Sequence, residues 1–296
     1  MKRFSVTIAI LTLLTSNKIN AASNSAEQTQ SGSGNTAYAE QIEPGAQGNS
    51  LLQEQNGAFN TADASQSEEA ESTIKQTQHG LLNQAATLQL DGSGNQSHIF
   101  QVGVLNETIT LQAASANSTA VAVQVGFNNN AEIHQMIGTG NIALIEQRGQ
   151  VHSATISQNG TFHGEAYIDQ EGIDHNADTT QSGTGHFSSA SQLGAFNQAS
   201  TDQEGYAQES DIAQSGFSNE TLVGQTDWYN SAQVTQDGFF NSANVIQTGA
   251  FSMGGSHLSI IGQSGGLNGA TVIQSGFSST AIVTQFGNGN SVSLKQ

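Results

Sequence analysis

The side chains best placed to do chemistry are carboxamides, and the chemistry is hydrogen bonding. Glutamine recurs at 30, 41, 55, 66, 78, 89, 101, 112, 124, 135, 147, 158, 170, 181, 192, 203, 214, 225, 236, 247, 263, 274, 285 and 296. Of the 23 intervals, sixteen are 11 residues and five are 12, so the phase holds along the chain. A carboxamide both donates and accepts. Stacked at one spacing, each can donate to one neighbour and accept from the other. A buried amide without partners costs about 1–3 kcal/mol, while a satisfied hydrogen bond contributes about 0.5–1.5 kcal/mol net. Such a ladder is favourable only where register is kept.

Four histidines, His152, His163, His175 and His186, each stand five residues after a ladder glutamine, where asparagine is usual. Alternate units share a sheet, so His152 should stack near His175 and His163 near His186. Stacked imidazoles could respond to pH or bind a transition metal. They could equally replace asparagine as plain hydrogen-bonding residues. No carboxylate or thiolate repeats with them, which favours the second reading. There is no G-x-S-x-G, H-E-x-x-H, P-loop or dinucleotide fingerprint. No catalytic, cofactor or metal site is expected, and the chain is not expected to be an enzyme.

The elements that must hold these residues follow from the other phased positions. Glycine stands two after the glutamine, asparagine five after, a small residue seven after and a β-branched aliphatic nine after. Offsets 5, 7, 9 and 11 have period two, which is one face of a β-strand. Glycine supplies the turn, where positive φ is cheap. A helix is opposed by the alternation and by a glycine every 11 residues. The expected fold is all-β: a two-sheet β-solenoid, or cross-β stack, of about twelve 22–23-residue strand-turn-strand repeats. The self-assembly ladder is clearest at Gln192, Gln203, Gln214, Gln225, Gln236, Gln247, Gln263, Gln274, Gln285 and Gln296. Asn197, Asn219, Asn230, Asn241, Asn268 and Asn290 accompany it. The turns fall at Gly194, Gly205, Gly216, Gly238, Gly249, Gly265, Gly276 and Gly287. Trp228 and Tyr229 stand in for the turn glycine of the Gln225 unit. Phenylalanines next to the turns (Phe59, Phe127, Phe196, Phe217, Phe239, Phe240, Phe251 and Phe277) are expected to cover the ends of the sheet sandwich.

Composition narrows the class. The 296 residues carry six Lys+Arg, 24 Asp+Glu and no cysteine, for a net charge of −18. Strong acidity argues against a nucleic-acid partner, and the lack of cysteine excludes a disulfide framework. Lys2 and Arg3, the apolar run 4–14 and Asn20-Ala21-Ala22 read as a secretory signal peptide over 1–22. No later stretch is long and apolar enough for a transmembrane segment. Residues 23–29 make a short N-terminal segment and 30–296 the repeat domain. Irregular rungs are expected near 41–78, around Pro44 and the Glu68, Glu69, Glu71 cluster. A loop insertion is expected near 248–262. Every acid lies at or before Asp237. The β-rich, charge-poor block from Gln236 to Gln296 has the signature of a cross-β segment and is expected to nucleate assembly.

The combination of glutamine, glycine two later, asparagine five later, alanine seven later and glutamine eleven later resembles the curlin repeat. Gln236-Asp237-Gly238-Phe239-Phe240-Asn241-Ser242-Ala243-Asn244-Val245-Ile246-Gln247 carries it at every signature position, and the resemblance runs from Gln30 to Gln296. It implies a secreted structural subunit of extracellular, curli-like amyloid fibres (a pilus or fimbrium) serving cell adhesion and biofilm matrix. It implies as partners the chain itself, as a homopolymer, a related nucleator subunit and a dedicated outer-membrane export pore. Two departures stand out: about twelve repeats where such proteins usually have about five, and only about seven residues between the leader and Gln30. A ladder that runs to Gln296 without a cap favours end-to-end growth. The alternative is a monomeric repeat β-solenoid adhesin or binding module.

Overall fold

Strict alternation with a glycine at every turn dictates short strands that cannot bury both faces. The computed structural model solves this by laying successive strands alternately into two sheets. It describes residues 3–9, 15–21, 24–42, 47–249 and 255–296. The chain divides into two units, residues 1–150 and 151–296. Each is a two-sheet parallel β-solenoid, and no helix occurs among the described residues.

In the first unit one sheet stacks Asn24–Ser33, Ser50–Ala58, Thr73–Leu81, Gln96–Val104, Thr119–Phe127 and Ile142–Gln150. The other stacks Thr36–Ile42, Thr61–Ser67, Gln84–Leu90, Glu107–Ala116 and Asn130–Thr139. In the second unit one sheet runs from Ser153–Phe162 to Ser291–Lys295 and the other from Glu165–Ile173 to Thr280–Asn288. All these pairings are parallel and set glutamine beside glutamine: Gln101 beside Gln124, Gln192 beside Gln214. Arg3–Ala9 and Thr15–Ala21 differ. They pair antiparallel with Thr36–Ile42 and Asn24–Ser33. Ala22, at the expected cleavage site, lies outside the described residues.

Burial follows the period of two. Glu165–Ile173 reads exposed, buried, intermediate, buried, exposed, buried over its first six residues. The inward positions hold the small residue, the aliphatic and the glutamine. Ile74, Ile99, Ile133 and Ile145 are fully buried in the first unit, and Ile156, Ile168, Ile212 and Ile261 in the second. Each such side chain contributes about 1.5–3 kcal/mol.

The expected irregularity near 41–78 does not reach the strands. Thr36–Ile42 pairs without a break against Thr61–Ser67, and Ser50–Ala58 against Thr73–Leu81. These strands keep register because a residue added within them would turn every following side chain to the other face. Pro44 lies outside the described residues, as does Phe251. In the same way Ser231–Phe239 and Leu258–Gly266 remain in register across the insertion that follows Gly249.

Candidate functional site: the amide ladders

A glutamine at the inward end of a strand is long enough to reach the facing strand. Its Nε2 carries two hydrogens, and both are used. Gln101 Nε2 donates across the sandwich to Gln84 O at 2.8 Å and along the stack to Gln124 Oε1 at 2.9 Å. Gln101 Oε1 accepts from Gln78 Nε2. Three amide bonds satisfy a side chain that is wholly buried, which is why an amide persists in an apolar interior.

The pattern repeats through both units. In the first, Gln30 donates to Gln55, then Gln55 to Gln78, and Gln41 to Gln66, then Gln66 to Gln89 and Gln89 to Gln112. In the second, Gln170, Gln192, Gln214, Gln236, Gln263 and Gln285 form one ladder, each donating to the next. Gln181, Gln203, Gln225, Gln247, Gln274 and Gln296 form the other. All the ladder glutamines singled out from sequence are therefore brought together. Each bond points from a lower to a higher residue number.

Asparagine occupies the corner just before a strand. Asn219 Oδ1 accepts from the backbone N–H and the Nδ2 of Asn241. Its own Nδ2 donates to Ser215 O and Gly238 O. Asn197, Asn219, Asn241, Asn268 and Asn290 form one such column. Asn230 belongs to the opposite corner, where its Oδ1 accepts from His257 N.

The turn glycines are required twice over. Gly216 has φ of 113°, and a Cβ there would lie 2.0 Å from Gly238 O. Gly194, Gly205, Gly238, Gly265, Gly276 and Gly287 also have positive φ, and Gly249 pairs with Gly276. The position expected for Trp228 and Tyr229 is corrected. Asp227 takes the glycine slot, opposite Gly205, with φ of 76°. Aspartate tolerates the left-handed region better than a bulky aromatic does.

Histidine copies asparagine. His175 N donates to His152 Nδ1 at 3.2 Å, and Asn197 N to His175 Nδ1 at 3.2 Å. Nδ1 therefore stands for Oδ1, and Nε2–H, 3.1 Å from Glu171 O, stands for Nδ2. His186 does the same between Gln208 N and Ser182 O. Burial pushes the imidazoles of His175 and His186 below the ordinary histidine range, against the pull of their backbone carbonyl partners. The expected pairing of His163 with His186 is corrected. His163 is exposed at positive φ, and Gly164 is the buried corner residue. The unit from Gln158 to Gln170 has 12 residues, and its extra residue falls at the bulge between Gln158 and Thr161, before the corner. No group of three or more metal-ligating side chains occurs among the described residues.

Sequence reasoning missed three features. Gln28, Gln53 and Gln76 make a second amide ladder in the slot that later rungs give to Ile or Val. A second periodic glutamine two positions earlier was the available signal. His257 is a corner residue too, with Nδ1 2.9 Å from Ser279 Oγ. Glu69 is fully buried in a turn, where Ser72 Oγ donates to it at 2.6 Å and Asn95 Nδ2 also bonds it. Burial raises its pKa, Asp91 adds to the rise, and the Ser72 and Asn95 bonds oppose it.

The phenylalanines do not cover the sandwich ends. The inward corner position belongs to asparagine, so the residues before it face solvent. Phe59, Phe127, Phe196, Phe217, Phe239, Phe240 and Phe277 are all exposed. In the second unit Phe196, Phe217 and Phe240 form an outer ridge with ring centroids 5.2 and 5.5 Å apart.

A stack of near-identical rungs, joined by backbone ladders and continuous carboxamide columns, defines a structural repeat protein. The family model for the curlin associated repeat matches residues 115–149, 260–287 and 268–296, so the chain carries curlin associated repeats in these stretches. These stretches hold Gln124, Gln135 and Gln147, and Gln263, Gln274, Gln285 and Gln296, with the strands and turns between them. A search of curated proteins gave no match. No helix among the described residues is long and apolar enough to cross a membrane.

Proposed function

We propose that this chain is a curli-type structural subunit, secreted and assembled into extracellular amyloid fibres for adhesion and biofilm matrix. The observation that carries this is the equivalence of the rungs. Each rung offers its neighbour the same backbone groups, glutamine amides and corner asparagines. A rung of a second copy can then satisfy the bonds that the next rung of the same chain satisfies. Growth is templated addition of strands, with the amide columns rejecting any register that leaves a buried amide unpaired. Acids on outward positions, such as Asp202 and Glu204, restrain association by like-charge repulsion between stacked copies. Residues 1–22 act as the export leader, and a nucleator subunit and an outer-membrane pore complete the machinery. The exposed aromatic ridge is the feature that supports the alternative, a monomeric adhesin.

Imaging producing cells tests the proposal. Surface fibres labelled by an antibody to this chain, and lost on its deletion, are expected. Chain found only as a soluble or cell-bound monomer would favour the adhesin.

A further inference from the structure

We infer that the corner formed by Tyr206, Trp228 and Tyr229 in the second unit binds a quaternary ammonium group, such as the trimethylammonium head of choline. The inference does not depend on whether copies of the chain assemble.

The repeat itself does not call for this corner. From Gln170 to Gln285 every ladder glutamine is followed two residues later by glycine, except Gln225. Asp227 takes that slot at φ of 76°, where glycine would meet no steric cost. The two residues after it are Trp228, the only tryptophan of the chain, and Tyr229. On the preceding strand of the same sheet Tyr206 lies beside Trp228, and Gly205 beside Asp227. One strand earlier the position of Tyr206 holds Thr184, so the aromatic cluster belongs to two neighbouring rungs and is not a column of the fold.

The rings form walls. The Tyr206 and Tyr229 rings have centroids 5.4 Å apart and planes 78° apart. With Trp228 they line a cleft of about 290 Å³, and all three remain exposed. Trp228 also lines the adjoining cleft, together with Glu204, Thr226 and Asp227. An electron-rich face on Trp228 and on each tyrosine attracts a cation, and Trp does so best. A sugar ring stacks on a flat platform, whereas rings set nearly at right angles suit a compact cation touched from more than one side. Methyl groups on the nitrogen spread the charge over an apolar surface that leaves water readily. Glu204 and Asp227 place negative charge beside Trp228, which favours a cation and opposes an anion. Residues 151–294 contain no lysine or arginine, so no ammonium or guanidinium from that stretch competes for the cleft.

Trp228 reports on its own site, because no other tryptophan contributes to the emission. Choline chloride is titrated into the folded full chain, with sodium chloride at equal ionic strength as the reference. The expected result is a saturable change in tryptophan emission with a dissociation constant of roughly 1–10 mM. The uncharged isostere 3,3-dimethyl-1-butanol is expected to bind at least about fivefold more weakly. Tyr229→Leu and Glu204→Gln are each expected to weaken choline binding at least about threefold. Phe217→Leu, at the opposite corner, is expected to leave it unchanged. Phosphatidylcholine vesicles distinguish the source of the group. Co-sedimentation that choline competes away supports a lipid headgroup, and a choline response without vesicle binding supports a free small molecule. An isostere that binds as tightly as choline would overturn the inference, and this comparison needs no variant to fold. Absence of any saturable response to choline, or a response to cellobiose in its place, would overturn it as well.

Discussion

His152 and His175 lie face to face in successive rungs, with ring centroids 5.1 Å apart and 5° between planes. His152 Nδ1 accepts the backbone N–H of His175. The contact requires neutral Nδ1, because a proton there would meet the N–H it should accept.

Acid should therefore loosen the opening rungs of the second unit. His175 and His186 have pKa values lowered from 6.5, chiefly by burial, and only Asp174 and backbone carbonyls oppose this. The unfolded chain then binds more protons than the folded one below about pH 6.5. Stability from these residues is complete above that pH and falls as pH drops through and below it. Hydrogen-exchange protection factors, taken against the intrinsic rate at each pH, should fall at Asn197 and Gln208, whose N–H groups bond the two imidazoles, at pH 5 relative to pH 7.5. His175→Asn should abolish the change at Asn197. Glu69, with its raised pKa, acts in the opposite sense: its stability contribution falls as pH rises above 4.5.

Glycine tolerance should divide by geometry. Gly216→Ala forces a Cβ to within 2.0 Å of Gly238 O at positive φ, and should cost about 2–4 kcal/mol. Gly224→Ala meets nothing within 4 Å and has no such φ. It should be neutral, or stabilising by up to about 1 kcal/mol. Denaturant unfolding of the two variants measures both.

Breaking one ladder rung should cost more than any outward change. Gln203→Leu leaves Gln181 Nε2 without its acceptor and Gln225 Oε1 without its donor. The loss should be about 2–4 kcal/mol. Asp202→Asn, next to it but outward and exposed, should change stability by less than about 0.5 kcal/mol. The same unfolding titration compares them.

The charge gradient carries a kinetic expectation. No acid follows Asp237, and Thr271-Val272-Ile273 and Ala281-Ile282-Val283 are rich in β-branched residues. A peptide of residues 236–296 should form fibres with a shorter lag than one of residues 147–225. Equal lags would remove the nucleating role from this block.

The glutamine columns were legible because two independent periods, 11 and 2, agree on which residues face inward. Asn197, Asn241 and Gly216 followed from the same phase. What escaped notice was local. A 12-residue unit does not say where its extra residue goes, and His163 was misplaced by one position for that reason. Gln28, Gln53 and Gln76 were hidden in strands already rich in glutamine. Glu69 reads as a solvated charge until the turn folds over it. The phenylalanines pointed outward because the corner interior was already taken by asparagine, a competition that spacing alone does not reveal.

The central claim is that rungs of separate copies bond as rungs of one chain do. The most direct measurement is fibre diffraction on chain lacking residues 1–22, diluted from denaturant, with thioflavin kinetics recorded with and without seeds. The account predicts a meridional reflection near 4.7–4.8 Å and a lag phase that seeds abolish. A soluble, monodisperse β-rich protein that no seed recruits would contradict it.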